Sequence, residues 1–254
     1  MALKTTERFT GRVESYRRHR PRYPDAVVDL LTAKCSLKET SAIADIAAGT
    51  GLLAEKFLVR GFAVVAVEPN DEMRAACETL TADFPRLRCV PGSAEATGLP
   101  SHSFDLITVA QALHWFDLER ARAEFARILR PEGWCAVIYN ERRMGGDAFH
   151  DGYESLLREF GIDYTKVQRH HLTAEGIEGF FSPSVVERVV FKNAQELSRE
   201  ALSGRIVSSS YMPTAGHPRY AAMQAAVDRL FEEHERDGYV RLEYDCAVWY
   251  GRLG

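Results

Sequence analysis

The stretch Ile43–Asn70, IADIAAGTGLLAEKFLVRGFAVVAVEPN, decides the fold. A first apolar run ends at Asp45. A small-residue loop follows, Ala47-Ala48-Gly49-Thr50-Gly51, and then a helical pattern. A second apolar run, Ala63–Val67, ends on an acid, Glu68. A strand, a glycine loop, a helix and a strand tipped by a carboxylate make a nucleoside-binding unit. Glycine suits the loop because a Cβ would block close backbone approach and disfavour positive φ. Glu68 can accept from both ribose hydroxyls.

The phase of the loop narrows the nucleoside. Dinucleotide folds use G-x-G-x-x-G. Here the pattern is Asp45-x-Ala47-x-Gly49-x-Gly51, and Leu52 stands where the third dinucleotide glycine is sought. No glycine opens the helix to a pyrophosphate. Asp45 precedes the loop, where it would repel a phosphate but accept from a cationic amine. The arrangement resembles the first motif of class I S-adenosylmethionine (SAM)-dependent methyltransferases, which more often carry Gly where Ala47 stands.

Other segments extend the resemblance. Strand 4 is entered by Ser103-Phe104-Asp105 and left by Ala110-Gln111-Ala112-Leu113-His114-Trp115-Phe116. Both are similar to small-molecule methyltransferases of the trans-aconitate and ubiquinone-biosynthesis kind. Enzymes of the wider class that methylate planar amino groups carry Asn/Asp-Pro-Pro-Tyr/Phe at the exit, so such groups are not the expected target. Tyr16-Arg17-Arg18-His19-Arg20-Pro21-Arg22-Tyr23-Pro24 matches a Tyr-x-x-x-Arg-Pro-x-Tyr-Pro string of the group. It implies a lid, with Tyr16 and Arg20 near the methionine end of the cofactor.

The resemblance implies SAM as cofactor, held by Tyr16, Arg20, Asp45, Ala47, Gly49, Gly51, Glu68, Pro69, Asn70, Met73, Ser93, Ala94, Ala110 and Gln111. Relatives commonly have an acid at Ser93. His114 is the first candidate for a catalytic or substrate-orienting group, with an ordinary pKa near ~6.5; Tyr211 is the second. The implied reaction is methyl transfer to a small molecule (EC 2.1.1.-). A non-catalytic SAM-binding regulator is the alternative, and a nicotinamide oxidoreductase is disfavoured by Leu52.

The rest of the chain bounds this reading. Its 254 residues, 46% apolar, suit one α/β unit with additions. No apolar run approaches the roughly 20 residues of a membrane span, and no signal peptide is visible. Five scattered cysteines without C-x-x-C spacing point to a cytoplasmic protein with no metal site. A net charge of −4 argues against nucleic acid. The expected partner is a small-molecule substrate, with no membrane partner, in a monomer or homodimer.

Strands alternate with helices up to Tyr139, which predicts a doubly wound parallel sheet. The expected helices include 26–33, about 53–60, 71–82 with Asp71 as N-cap, and 118–129. The expected strands are about 42–46, 63–67, 87–90, 104–109 and 134–139. Beyond them, 147–160 reads as helix, 185–191 and 244–250 as strands, and about 194–203 and 221–237 as helices. The resemblance makes the whole a Rossmann-like, mostly parallel seven-stranded sheet. The link between strands 6 and 7 is too long for a hairpin loop and predicts a helical cap. The expected divisions are a lid segment with the first helix (1–33), a SAM-binding core (34–140), a helix and cap segment (141–183), and final strands with a cap insertion at about 194–240 (184–254). The vicinal pair His170-His171 reads as surface.

Overall fold

The computed structural model describes residues 11–165 and 172–253; His170 and His171 lie outside them. Seven strands run β1 Ala42–Ile46, β2 Ala63–Val67, β3 Leu87–Val90, β4 Phe104–Ala110, β5 Leu129–Arg142, β6 Val186–Leu197 and β7 Val240–Gly251. They form one sheet in the order β3-β2-β1-β4-β5-β7-β6. The first five are parallel, and β7 runs antiparallel to both β5 and β6. This is the Rossmann-like sheet of class I methyltransferases, as the sequence predicts.

The inner strands are buried on both faces, which is why they read as unbroken apolar runs. Ile43 packs with helices α2 (Asp25–Lys34) and α3 (Ala54–Val59) through Val27, Leu31 and Phe57. Ala44 and Ile46 face the opposite layer. There α5 (Leu118–Ile128) presents Ala121, Phe125 and Ile128 at helical spacing, and α7 (Ala174–Phe181) adds Ile177, Phe180 and Phe181. Residues 174–181, grouped with the cap in the sequence reading, thus pack on the sheet. Helix α4 (Asp71–Glu78) is capped by Asn70, whose side chain accepts from the Met73 N–H, so Asp71 is not the cap. A 3₁₀ turn continues it over Thr79–Ala82.

The cap has its own apolar cluster. Helices α6 (Ala148–Phe160), α8 (Arg199–Val207) and α9 (Tyr220–His234) contribute Tyr153, Leu157, Leu202, Ile206, Val227 and Phe231. The distal halves of β6 and β7 carry it: their pairing continues from Val186↔Gly251 to Leu197↔Val240. Residues 194–197, expected to open a helix, therefore lie in β6. Among the described residues, no helix is long and apolar enough to cross a membrane.

The N-terminal helix α1 (Val13–His19) is fastened to the cap. Arg12 donates to the carbonyls of Val207, Ser209 and Met212 at the end of α8, and Ser15 donates to Gly204 O. Gln195 donates to His19 O, and Asn193 to Arg22 O. These bonds hold residues 12–22 between cap and sheet.

Candidate functional site

Loops after β1, β2, β3 and β4 converge beyond the carboxyl ends of their strands, where ligands of open α/β sheets sit. They enclose a cavity of ≈ 160 Å³ lined by Tyr16, Ala47, Gly49, Glu68, Pro69, Asn70, Met73, Ser93, Ala94, Glu95, Ala110, Gln111, Ala112, Trp115 and Phe116. Eleven of the fourteen residues expected at the cofactor are among them. Glu95, Ala112, Trp115 and Phe116 were not singled out as contacts, although the aromatic pair ends a motif already read as family-like.

Glu68 is 7% exposed and bridges two loops. Its Oε2 accepts from the Gly49 N–H at 2.8 Å and its Oε1 from the Asn70 N–H at 2.9 Å. Burial raises its pKa, and the two backbone donors oppose that shift. Each oxygen keeps acceptor capacity. The carboxylate is thus fixed in place, with room to take two further donors from a ligand.

Three expected residues stand elsewhere. Arg20 lines a second cavity and not this one. Gly51 has φ +83°, but a Cβ there would lie 2.8 Å from both Cys77 Sγ and Leu80 Cδ1, so it faces core rather than ligand. Gly49, at φ +59°, does face open space. Asp45 is 1% exposed, and its Oδ1 accepts from Thr108 Oγ1 at 2.7 Å. It lies beneath the loop and does not line the cavity.

Burial pushes the Asp45 carboxyl up to about 7, against the Thr108 hydroxyl and the Ala54 backbone N–H, which favour its charged form; the Glu68 charge adds a smaller push upward. An unfolded aspartate titrates near ~3.9. Between about pH 4 and pH 7 the folded chain therefore holds a proton that the unfolded chain has lost, so stability falls as pH rises through that window. In Asp45→Asn this loss should shrink. Urea midpoints at pH 5 and pH 8 check it: an equal drop in both proteins would show that Asp45 does not titrate in this way.

The second cavity, ≈ 470 Å³, lies between the sheet end and the cap. Its lining includes Arg20, His114, Tyr139, Asn140, Glu141, Arg142, Arg205, Ser210 and Tyr211, and it shares Tyr16, Gln111 and Trp115 with the first. Both catalytic candidates are here. His114 sits in a 3₁₀ turn after β4, with its ring 4.5 Å from Trp115 between centroids. Its Nδ1 lies 3.1 Å from the Tyr139 hydroxyl, which also accepts from the His114 backbone N–H at 3.3 Å. Burial raises the Tyr139 pKa, which keeps the hydroxyl protonated. Tyr211 follows α8, its ring 4.9 Å from that of Tyr164. Gln111 adopts φ +60° and donates to Asn140 O, which places it at the junction of the two cavities.

Comparison with known proteins bears on the family and the fold. A methyltransferase domain model matches residues 44–137. An uncharacterized methyltransferase of Mycobacterium tuberculosis is 39% identical over 178 residues, 65% of this chain and 68% of that protein. The ubiquinone/menaquinone biosynthesis C-methyltransferase of Methylobacterium nodulans is a weaker match, 35% identical over 117 residues, 43% of this chain and 46% of its own. Among solved structures, an Anaeromyxobacter dehalogenans protein placed with the type II methyltransferases superposes with a TM-score of 0.67 at 24% identity. That superposition covers 92% of this chain and 98% of the other, and it speaks to the fold alone.

Proposed function

We propose a reaction for this chain, which belongs to the class I SAM-dependent methyltransferase family: transfer of a methyl group to a small-molecule acceptor held in the second cavity. The observation that carries the reading is the junction, where Tyr16, Gln111 and Trp115 wall both cavities. S-adenosyl-L-methionine is the cofactor, and when bound it supplies a methyl group already activated on a sulfonium. The residues present fit it: a fixed carboxylate at Glu68 for the ribose, apolar Met73 and Phe116 for the adenine, and Gly49 open to the ligand. A base is needed only where the acceptor atom is protonated at neutral pH.

What the chain has to do is align an acceptor with the junction and exclude water. Such positioning can supply ~7–11 kcal/mol of barrier reduction. The cap and residues 12–22 roof the second cavity, which suits a small acceptor better than a nucleic acid or a folded protein. His114 lines this cavity rather than the core. With the Tyr139 hydroxyl donating to Nδ1, Nε2 carries the proton, and His114 orients the acceptor by donating a hydrogen bond. Tyr211 is the second orienting group. The reading remains a cytoplasmic enzyme, monomer or homodimer, with no metal, nucleic-acid or membrane partner.

Radiolabelled methyl transfer from SAM into a metabolite extract tests this. Label should appear in a low-molecular-weight product. Label confined to protein or nucleic acid would refute the small-molecule acceptor, and binding of S-adenosylhomocysteine (SAH) without any turnover would favour the regulator. Glu68→Ala should weaken SAH binding by about 1.5–3 kcal/mol, the worth of hydrogen bonds to a charged group. Calorimetry on a folded variant with unchanged affinity would remove Glu68 from the site.

A further inference from the structure

The second cavity carries more positive charge than the fold uses. Arg20, Arg142 and Arg205 all line it, and none of them lines the first cavity. Arg205 is 7% exposed, and its hydrogen-bond partners are neutral: Nε donates to Tyr244 Oη at 3.1 Å and Nη1 to Ser209 Oγ at 3.2 Å. Arg20 donates to Ser208 O at 2.9 Å and stacks 4.7 Å over the Tyr16 ring, while its Nε is buried without a partner. Among the described residues no carboxylate pairs with either guanidinium. The two also repel: the Arg205 charge, after burial, is the next cause lowering the Arg20 pKa.

Arg142 differs in part. Its Nη2 meets Glu154 Oε2 at 2.5 Å, but its Nη1 is buried and unpartnered. Glu154 is shared with Arg158 and with the Tyr164 hydroxyl. One carboxylate lines the same cavity, Glu141, which is half-exposed and lies 4.0 Å from Arg188. The inventory is three guanidiniums, two of them without an anion. Burying charge in this way is costly unless an opposite charge arrives. A planar guanidinium fork matches a carboxylate in a bidentate pair.

We infer that the methyl acceptor is an organic acid whose carboxylate is anchored by Arg20 and Arg205, with Arg142 completing the pocket. This rests on the proposed small-molecule methyl transfer and specifies its substrate class. The carboxylate is the anchor and not the methylated atom. A carboxylate held by two guanidinium forks has its lone pairs engaged; Arg142 and Arg205 line the second cavity alone, and only Arg20 reaches the shared wall, where it stacks on Tyr16. The nucleophile is another atom of the same molecule, presented to Tyr16, Gln111 and Trp115.

The test uses the SAH-loaded protein and matched acid/primary-amide pairs: 3-phenylpropionate, hexanoate and succinate against their amides. Calorimetry should show at least one acid binding 10-fold or more tightly than its amide. Arg205→Met should shrink that preference to within about 2-fold while leaving SAH affinity within 2-fold. Arg20→Gln should act in the same direction, which covers the case in which one variant fails to fold; the wild-type comparison needs neither. Amides that bind as well as acids, or acids that do not bind, would overturn the inference. So would arginine variants that weaken SAH 10-fold but spare methylthioadenosine, which lacks the amino-acid tail: the carboxylate would then be the cofactor's. Wild-type protein that binds no SAH would instead strike the cofactor reading.

Discussion

Gly51→Val is expected to destabilise the chain strongly and to lose cofactor binding as a consequence. At φ +83° a β-branched residue is strained, and its Cβ would sit 2.8 Å from Cys77 Sγ and Leu80 Cδ1. Overpacking of a tight core costs about 1–3 kcal/mol and a left-handed residue about 1–2 kcal/mol. Together these amount to about 2–5 kcal/mol. For a chain of this size the melting temperature should fall by the order of 10 °C. Gly49→Ala offers the contrast. Its Cβ meets nothing within 4 Å and Gly49 lines the cavity, so SAH affinity should fall with a smaller change in melting temperature. Calorimetry and thermal melts of both variants check this. A Gly51→Val protein that melts like wild type yet binds no SAH would show that position 51 faces the ligand after all.

The contrast marks how far the sequence could be read. Both glycines belong to one loop pattern, and nothing in that pattern says which faces ligand and which faces α4. Strands β1 and β2 are legible to the residue, because inner strands buried on both faces are short apolar runs between turn signals; β3, at the sheet edge, is legible as a short run between turns. The segment Ala194-Gln195-Glu196-Leu197 was misread as helix. Its residues are good helix formers, but pairing of Ala194 with Glu243 and Leu197 with Val240 overrides local propensity. β5 was read as beginning after Gly133, yet it starts at Leu129 and passes Pro131 where its register against β4 shifts. Proline is tolerated at such an irregularity because no ladder hydrogen bond is needed there.

The two halves of the site differ in the same way. The first cavity is built from loops that follow strands, so the strand-end rule and the family motifs found most of its lining. The second depends on Arg205, on α8, and on Arg142, the last residue of the last parallel strand. Neither sits in a motif, and the long-range folding of the cap brings them together. The rule could have pointed to Asn140-Glu141-Arg142, which directly follows the apolar run of β5. No local signal pointed to Arg205.

His114→Ala is expected to leave SAH affinity within about twofold while cutting kcat/KM for the acceptor by ~10²–10⁴, the usual worth of a positioned acid–base or hydrogen-bonding group. The separation follows from placement, since His114 lines the second cavity and not the first. Tyr139→Phe supplies the discriminating variant. It removes the hydroxyl 3.1 Å from Nδ1 and frees the imidazole to change tautomer. If His114 orients the acceptor by donating from Nε2, Tyr139→Phe should lower kcat/KM by a smaller factor and leave the melting temperature close to wild type. If His114 were instead a base needing an unprotonated Nε2, losing the donor at Nδ1 would not lower the rate, and Tyr139→Phe would match or exceed wild type. Steady-state kinetics of the two variants with an acceptor found by label transfer distinguish these outcomes. A His114→Ala protein with full turnover would remove the residue from the reaction altogether.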